Sequence, residues 1–220
     1  MVDKDSDDSD EDSIQNIMFV GDSYTGKTSI IDRIIDNPFK DTFEASIGVD
    51  FMSKYIRFRG QNIHIRIWDT SGQEKFKTLI PYYARPSLFF FIVYDVSKRS
   101  SFENVLNWIS FVRSINKTSI ILCGNKIDLE REVETNEGEK LAKNEGLFFF
   151  ECSAKTNENI KKMFYSCIGL LPPFGIDPES ERENLMKELL NENEKGDFKE
   201  KGENQESIAQ PEGKINGNAN

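Results

Sequence analysis

The apolar run Ile17, Met18, Phe19, Val20 passes without a spacer into Gly-Asp-Ser-Tyr-Thr-Gly-Lys-Thr-Ser at residues 21–29. Glycines at 21 and 26 end any strand. Ile30, Ile31, Ile34 and Ile35 then recur at helical spacing, so the segment predicts strand, glycine turn and helix in immediate succession. The turn fits G-x-x-x-x-G-K-[ST] at Gly21, Gly26, Lys27 and Thr28. Glycines let successive backbone N–H groups converge on phosphate oxygens, and the helix that follows aims its positive end at them. Lys27 is expected to reach β- and γ-phosphates, and the Thr28 hydroxyl to ligate Mg²⁺. Ser23, Tyr24, Thr25 and Ser29 belong to the same nucleotide-contacting stretch. The bland alternative is a structural turn.

The remaining chain repeats this alternation. Short apolar runs at 14–20, 50–58, 62–69, 88–96, 119–124 and 147–153 are separated by helical patterns at 27–36, 73–84, 101–115, 135–145 and 157–171. Four of the runs are nearly continuous in apolar residues, as parallel strands covered on both faces require. The run 62–69 alternates instead, with Ile63, Ile65 and Ile67 opposite His64, Arg66 and Trp68, and is expected to pair with 50–58 across the turn Arg-Gly-Gln-Asn. The expected fold is a doubly wound α/β domain, a six-stranded mostly parallel sheet with helices on both faces, spanning 14–173. His64 reads as a surface strand residue rather than a catalyst.

Charge is concentrated outside that domain. Residues 1–13 carry a net −6 and residues 174–220 another −6, whereas the whole chain is −10, leaving about +2 for residues 14–173. The acidic first segment cannot bury apolar surface and is expected to be disordered, and so is most of 174–220. Within that tail Leu185, Met186, Leu189 and Leu190 form one helical stripe, either a docking helix or a frayed one. A near-neutral core offers no basic face for nucleic acid. No apolar h-region or membrane-length run is present. The three cysteines, Cys123, Cys152 and Cys167, lack metal or disulfide spacing and read as buried thiols of a cytosolic protein.

Three further motifs stand at strand ends, where doubly wound sheets present ligand loops. In Trp-Asp-Thr-Ser-Gly-Gln-Glu (68–74), Asp69 is placed to hold Mg²⁺ through a water, the Gly72 N–H to approach a γ-phosphate, and Gln73 to orient the attacking water. In Gly-Asn-Lys-Ile-Asp (124–128), the Asp128 carboxylate can accept the paired N1–H and N2–H donors of guanine, which adenine lacks. Asn125 and Lys126 would brace that loop. Cys-Ser-Ala-Lys (152–155) adds the Ala154 N–H for guanine O6, supported by Ser153 and Lys155. Any one of these can be an ordinary turn; together they specify GTP or GDP with Mg²⁺.

The same residues, with Ile-Gly-Val-Asp-Phe (47–51), 67–76, Tyr-Tyr-Ala-Arg (82–85) and 94–105, resemble the Rab branch of the Ras superfamily, and through 78–89 its Golgi-associated members. The likeness covers about 14–172. It implies a small GTPase with a P-loop GTPase domain, a slow molecular switch in vesicle or intracellular membrane trafficking, served by a GTPase-activating protein, an exchange factor and effectors. It implies that Phe39 packs on the guanine ring and that Ser46 stands where the Mg²⁺-ligating switch threonine usually is. Phe51, Trp68 and Tyr83 match the aromatic triad that effectors read, although plain core packing would also place them. Ser46 and Ser71 replace a usual Thr and Ala. Tyr24 replaces a glycine or small residue and is expected to weaken stimulation by an activating protein. No prenylation cysteine follows Cys167, so a cytoplasmic monomer without a direct lipid anchor, recruited to Golgi or endomembranes by partners, is the expectation. A rival reading is a constitutively GTP-bound, weakly hydrolysing interaction module.

Overall fold

The computed structural model describes residues 14–40, 48–58, 61–73 and 77–169. Six strands, β1 (Gln15–Val20), β2 (Val49–Phe58), β3 (Gln61–Thr70), β4 (Ser87–Asp95), β5 (Ser119–Asn125) and β6 (Phe148–Glu151), form one sheet in the order β2-β3-β1-β4-β5-β6. Only β2 runs antiparallel to its neighbour β3; the other pairings are parallel. The acidic segments 1–13 and 174–220 lie outside the described residues.

Strand alternation sorts the apolar side chains into two cores. Ile17 and Phe19 of β1, Ile63, Ile65 and Ile67 of β3, and Phe89, Phe91 and Val93 of β4 face one side. They meet α1 (Lys27–Ile34) and α6 (Ile160–Ile168). Met18, Phe90, Ile92 and Leu122 face the other, against α2 (Ile80–Ala84), α4 (Val105–Ile115) and α5 (Thr135–Glu145). A short α3 (Arg99–Glu103) leads into α4. Phe19 stacks on Phe91 with ring centroids 4.4 Å apart, and each such fully buried ring contributes roughly 1.5–3 kcal/mol. All three cysteines are buried free thiols.

Three helices are shorter or more broken than the apolar pattern predicts. Of the described residues in the 73–84 pattern, Ile80–Ala84 form a helix, where Pro81 occupies the first turn and no N–H is lost. The 101–115 pattern begins at Arg99 and is interrupted at Asn104, whose side chain turns toward the loop after β1. The 157–171 pattern starts only at Ile160, because Asn157 and Asn159 hold left-handed backbones and Ser153 pairs with Glu158.

β1 lies between β3 and β4, so its carboxyl end is the point where strand order changes direction, the place where such sheets bind ligands. Phe19 is in register with Asp69 and Phe91, Asp95 with Asn125, and Gly124 with Glu151. The loops leaving β1, β3, β5 and β6 therefore all open on one edge.

Candidate functional site

The loop after β1 is built from backbone conformations that exclude most side chains. Gly21 holds φ 137, and a Cβ there would lie 2.2 Å from the Val93 carbonyl oxygen. Gly26 holds φ 91 and ends the loop at the start of α1. Within the curl, Lys27 Nζ donates to the carbonyls of Gly21 at 3.0 Å and Asp22 at 2.8 Å, and the Thr25 hydroxyl donates to the Asp22 carbonyl at 3.0 Å. Burial pushes the Lys27 ammonium down to about 8, against the opposing pull of Asp69 and Asp22. A buried cation whose hydrogen bonds go to backbone carbonyls is poised for a stronger anionic partner. Tyr24 is 61% exposed, with φ 67.

The loop after β3 lies against this curl. Thr28 Oγ1 donates to Asp69 Oδ2 at 2.6 Å, across 41 residues of sequence. This hydroxyl–carboxylate pair is a hard-oxygen donor set of the kind Mg²⁺ prefers, and the residues present fit that ion. Mg²⁺ bound there would supply charge neutralisation for phosphate oxygens. A Cβ on Gly72 would fall 2.2 Å from the Ser23 nitrogen and 2.6 Å from the Gly21 oxygen, so only glycine allows the two loops to touch. Gln73 follows directly, its N–H on Ser71 Oγ at 3.4 Å. Ser29 sits in the first turn of α1. Ser46, the remaining expected metal ligand, lies outside the described residues.

The loops after β5 and β6 are joined to the first by Asn125. Its Nδ2 donates to the Thr25 carbonyl at 2.9 Å, while its Oδ1 accepts the Ala154 N–H at 3.2 Å. Ala154 N–H, expected to face guanine O6, is thus already engaged by Asn125. Ser153 Oγ donates to Asp128 Oδ1 at 2.6 Å and accepts from Thr156 N–H at 3.0 Å, which orients the carboxylate. Lys126 donates to the Tyr24 carbonyl at 2.8 Å and pairs with Asp95 at 2.6 Å. Lys155 is exposed beside them.

Sequence spacing gave no hint of Arg33. From the last turn of α1 it donates to the carbonyls of Ala154 at 2.8 Å and Lys155 at 3.1 Å, and lies 5.9 Å from the Phe39 ring centroid. It pins the β6 loop to α1 beside Phe39. Asp95 and Asp22 are likewise site residues that no motif picks out. Phe51, Trp68 and Tyr83 come together at β2, β3 and α2, with centroids 5.1 and 4.9 Å apart; Phe51 and Tyr83 are half-buried over a buried Trp68. Trp68 is the most buried of the three and donates its indole N–H to Asn16 at 3.0 Å.

A glycine cradle with a buried lysine, a Thr–Asp oxygen pair and an exposed carboxylate held by Ser153, all on one sheet edge, define a P-loop nucleotide-binding α/β domain. Residues 16–171 match the Ras family model, and the chain belongs to the Ras family. It is a small GTPase, a family whose members bind guanine nucleotides, generally with Mg²⁺, and work with activating proteins, exchange factors and effectors.

Proposed function

We propose that this small GTPase is a Rab-type switch in vesicle or intracellular membrane trafficking, cytoplasmic and monomeric, brought to Golgi or other endomembranes by its partners. The observation that carries the switch reading is Asn125, whose single buried amide ties the phosphate loop to the base loop. Asp128 selects guanine, Lys27 holds the phosphates, and Thr28, Asp69 and Ser46 hold Mg²⁺. Gln73 orients the attacking water. By likeness to relatives of this class, turnover is slow, on the order of 10⁻⁴–10⁻² s⁻¹ without an activating protein.

The contiguous Phe51, Trp68 and Tyr83 rings favour the Rab branch, because they match its aromatic triad in sequence and pack together across β2, β3 and α2. Differential affinity for the two nucleotide states is then the signal. A second reading, a constitutively GTP-bound module, is favoured by Tyr24, an exposed ring at the mouth of the phosphate loop. Single-turnover hydrolysis of bound GTP, with and without a Rab-activating domain, separates the two. Slow but activator-stimulated hydrolysis supports the switch; no hydrolysis under either condition supports the module.

A further inference from the structure

The phosphate loop carries an acid. Asp22 lies one residue after Gly21, where a free carboxylate would face incoming phosphates with like charge. The structure holds it elsewhere. Asp22 Oδ1 accepts the indole N–H of Trp108 at 2.7 Å and the Asn104 side-chain amide at 2.5 Å. Both donors come from the start of α4, more than 80 residues away in sequence. Trp108 is 1% exposed, so its N–H has no competing solvent. The backbone of the same residue does the opposite job, its carbonyl accepting from Lys27 and Thr25 inside the curl.

We infer that Trp108 and Asn104 are positioning residues for nucleotide binding, which turn the Asp22 carboxylate out of the phosphate cradle and fix the loop in its anion-accepting curl. The inference rests on the guanine-nucleotide reading above. Its physical basis is twofold. Hydrogen bonds to a carboxylate are about twice as strong as neutral ones, so two donors hold the side chain in one rotamer. A carboxylate released from them stands beside the phosphates with only local dielectric to screen it. The face of the same indole carries Lys77 Nζ at 4.0 Å, from the segment that leads into α2. Trp108 therefore separates an N–H function, toward the phosphate loop, from a ring function, toward Lys77.

The test uses the full chain loaded with a fluorescent GDP analogue and Mg²⁺, chased with unlabelled GDP. Trp108→Phe keeps an aromatic ring, though a smaller one, and removes the N–H; dissociation is expected to accelerate about tenfold, the loss of one charge-assisted bond. Asn104→Ala removes the second donor from a half-buried site and is expected to give a change in the same direction, about threefold, should Trp108→Phe fold poorly. In an Asp22→Ala background, Trp108→Phe is expected to change the rate less than twofold, because no carboxylate remains to be steered. The ratio of variant to wild-type rates should also fall as salt is raised. Rates for both single variants within twofold of wild type overturn the inference. So does an equally large Trp108→Phe effect without Asp22, which would make the role one of packing. A wild-type chain that retains no GDP would instead remove the guanine-nucleotide reading, and this inference with it.

Discussion

Replacing Asn125 with Ala separates two contributions that the other loop residues mix. Asn125 is 1% exposed and bonds both the Thr25 carbonyl and the Ala154 N–H, themselves buried. Truncation strands both backbone groups at once. Each unsatisfied buried group costs about 1–3 kcal/mol, so the pair costs about 3 kcal/mol once some water enters. Because both bonds join protein groups to one another, the loss falls on the fold as well as on binding. Urea unfolding of nucleotide-stripped protein should show it directly, with the midpoint lowered and the slope unchanged. Asp128→Ala is the control. Asp128 is exposed and accepts one hydrogen bond, from Ser153, so stripped-protein stability should change by less than about 1 kcal/mol. Guanine nucleotide affinity should nevertheless fall by on the order of 100-fold, with discrimination against adenine largely lost. Stripped Asn125→Ala protein within about 1 kcal/mol of wild type would refute the view that this amide joins the two loops.

Four other outcomes follow from the packing and charge of the protein. Burial pushes the Lys27 pKa down to about 8, below its value of 10.5 in an unfolded chain. Between those values the unfolded state binds more protons, so the stability of stripped protein should rise with pH from about 8 to 10.5; nucleotide binding at pH 8.5 should take up a proton, measured by calorimetry in buffers of differing ionisation heat, and no uptake would contradict it. A Cβ on Gly138 would stand 2.6 Å from the Phe149 ring and 2.7 Å from the Tyr94 hydroxyl oxygen, so Gly138→Ala should destabilise by about 1–3 kcal/mol despite better helix propensity. The Tyr94 hydroxyl is buried without a hydrogen-bond partner, and burial pushes its pKa up; Tyr94→Phe should be neutral or stabilising in thermal unfolding and should partly rescue Gly138→Ala. Tyr24→Gly should raise activator-stimulated GTP hydrolysis several-fold by uncovering the loop, and a response no better than wild type would remove Tyr24 as an obstruction.

Much of this architecture is legible from residue order because local chemistry fixes it. Ser-Leu-Phe-Phe-Phe-Ile-Val-Tyr-Asp reads as a strand buried on both faces, and β4 sends Phe89, Phe91 and Val93 to one core and Phe90, Ile92 and Tyr94 to the other. The hairpin of β2 and β3, the glycine curl and the strand-end placement of Asp69, Asn125 and Ala154 are likewise carried by spacing. Helix limits are less so. Nothing in the apolar period marks the left-handed Asn157 and Asn159 that delay α6, or the turn of Asn104 that breaks α3 from α4. The long-range ties are silent in sequence: Arg33 reaches Ala154 across 121 residues and Trp108 reaches Asp22 across 86. No periodicity encodes a contact that only the folded sheet creates.

The central claim is that one sheet edge holds a guanine nucleotide with Mg²⁺. It is tested most directly by identifying what leaves the denatured, natively purified protein on an ion-exchange column, and by titrating stripped protein with GDP, GTP and ATP in Mg²⁺. GDP or GTP recovered near one per chain, with submicromolar affinity lost on chelation and no competition by ATP, is the predicted result. Protein that carries no nucleotide and ignores micromolar GDP and GTP would contradict it.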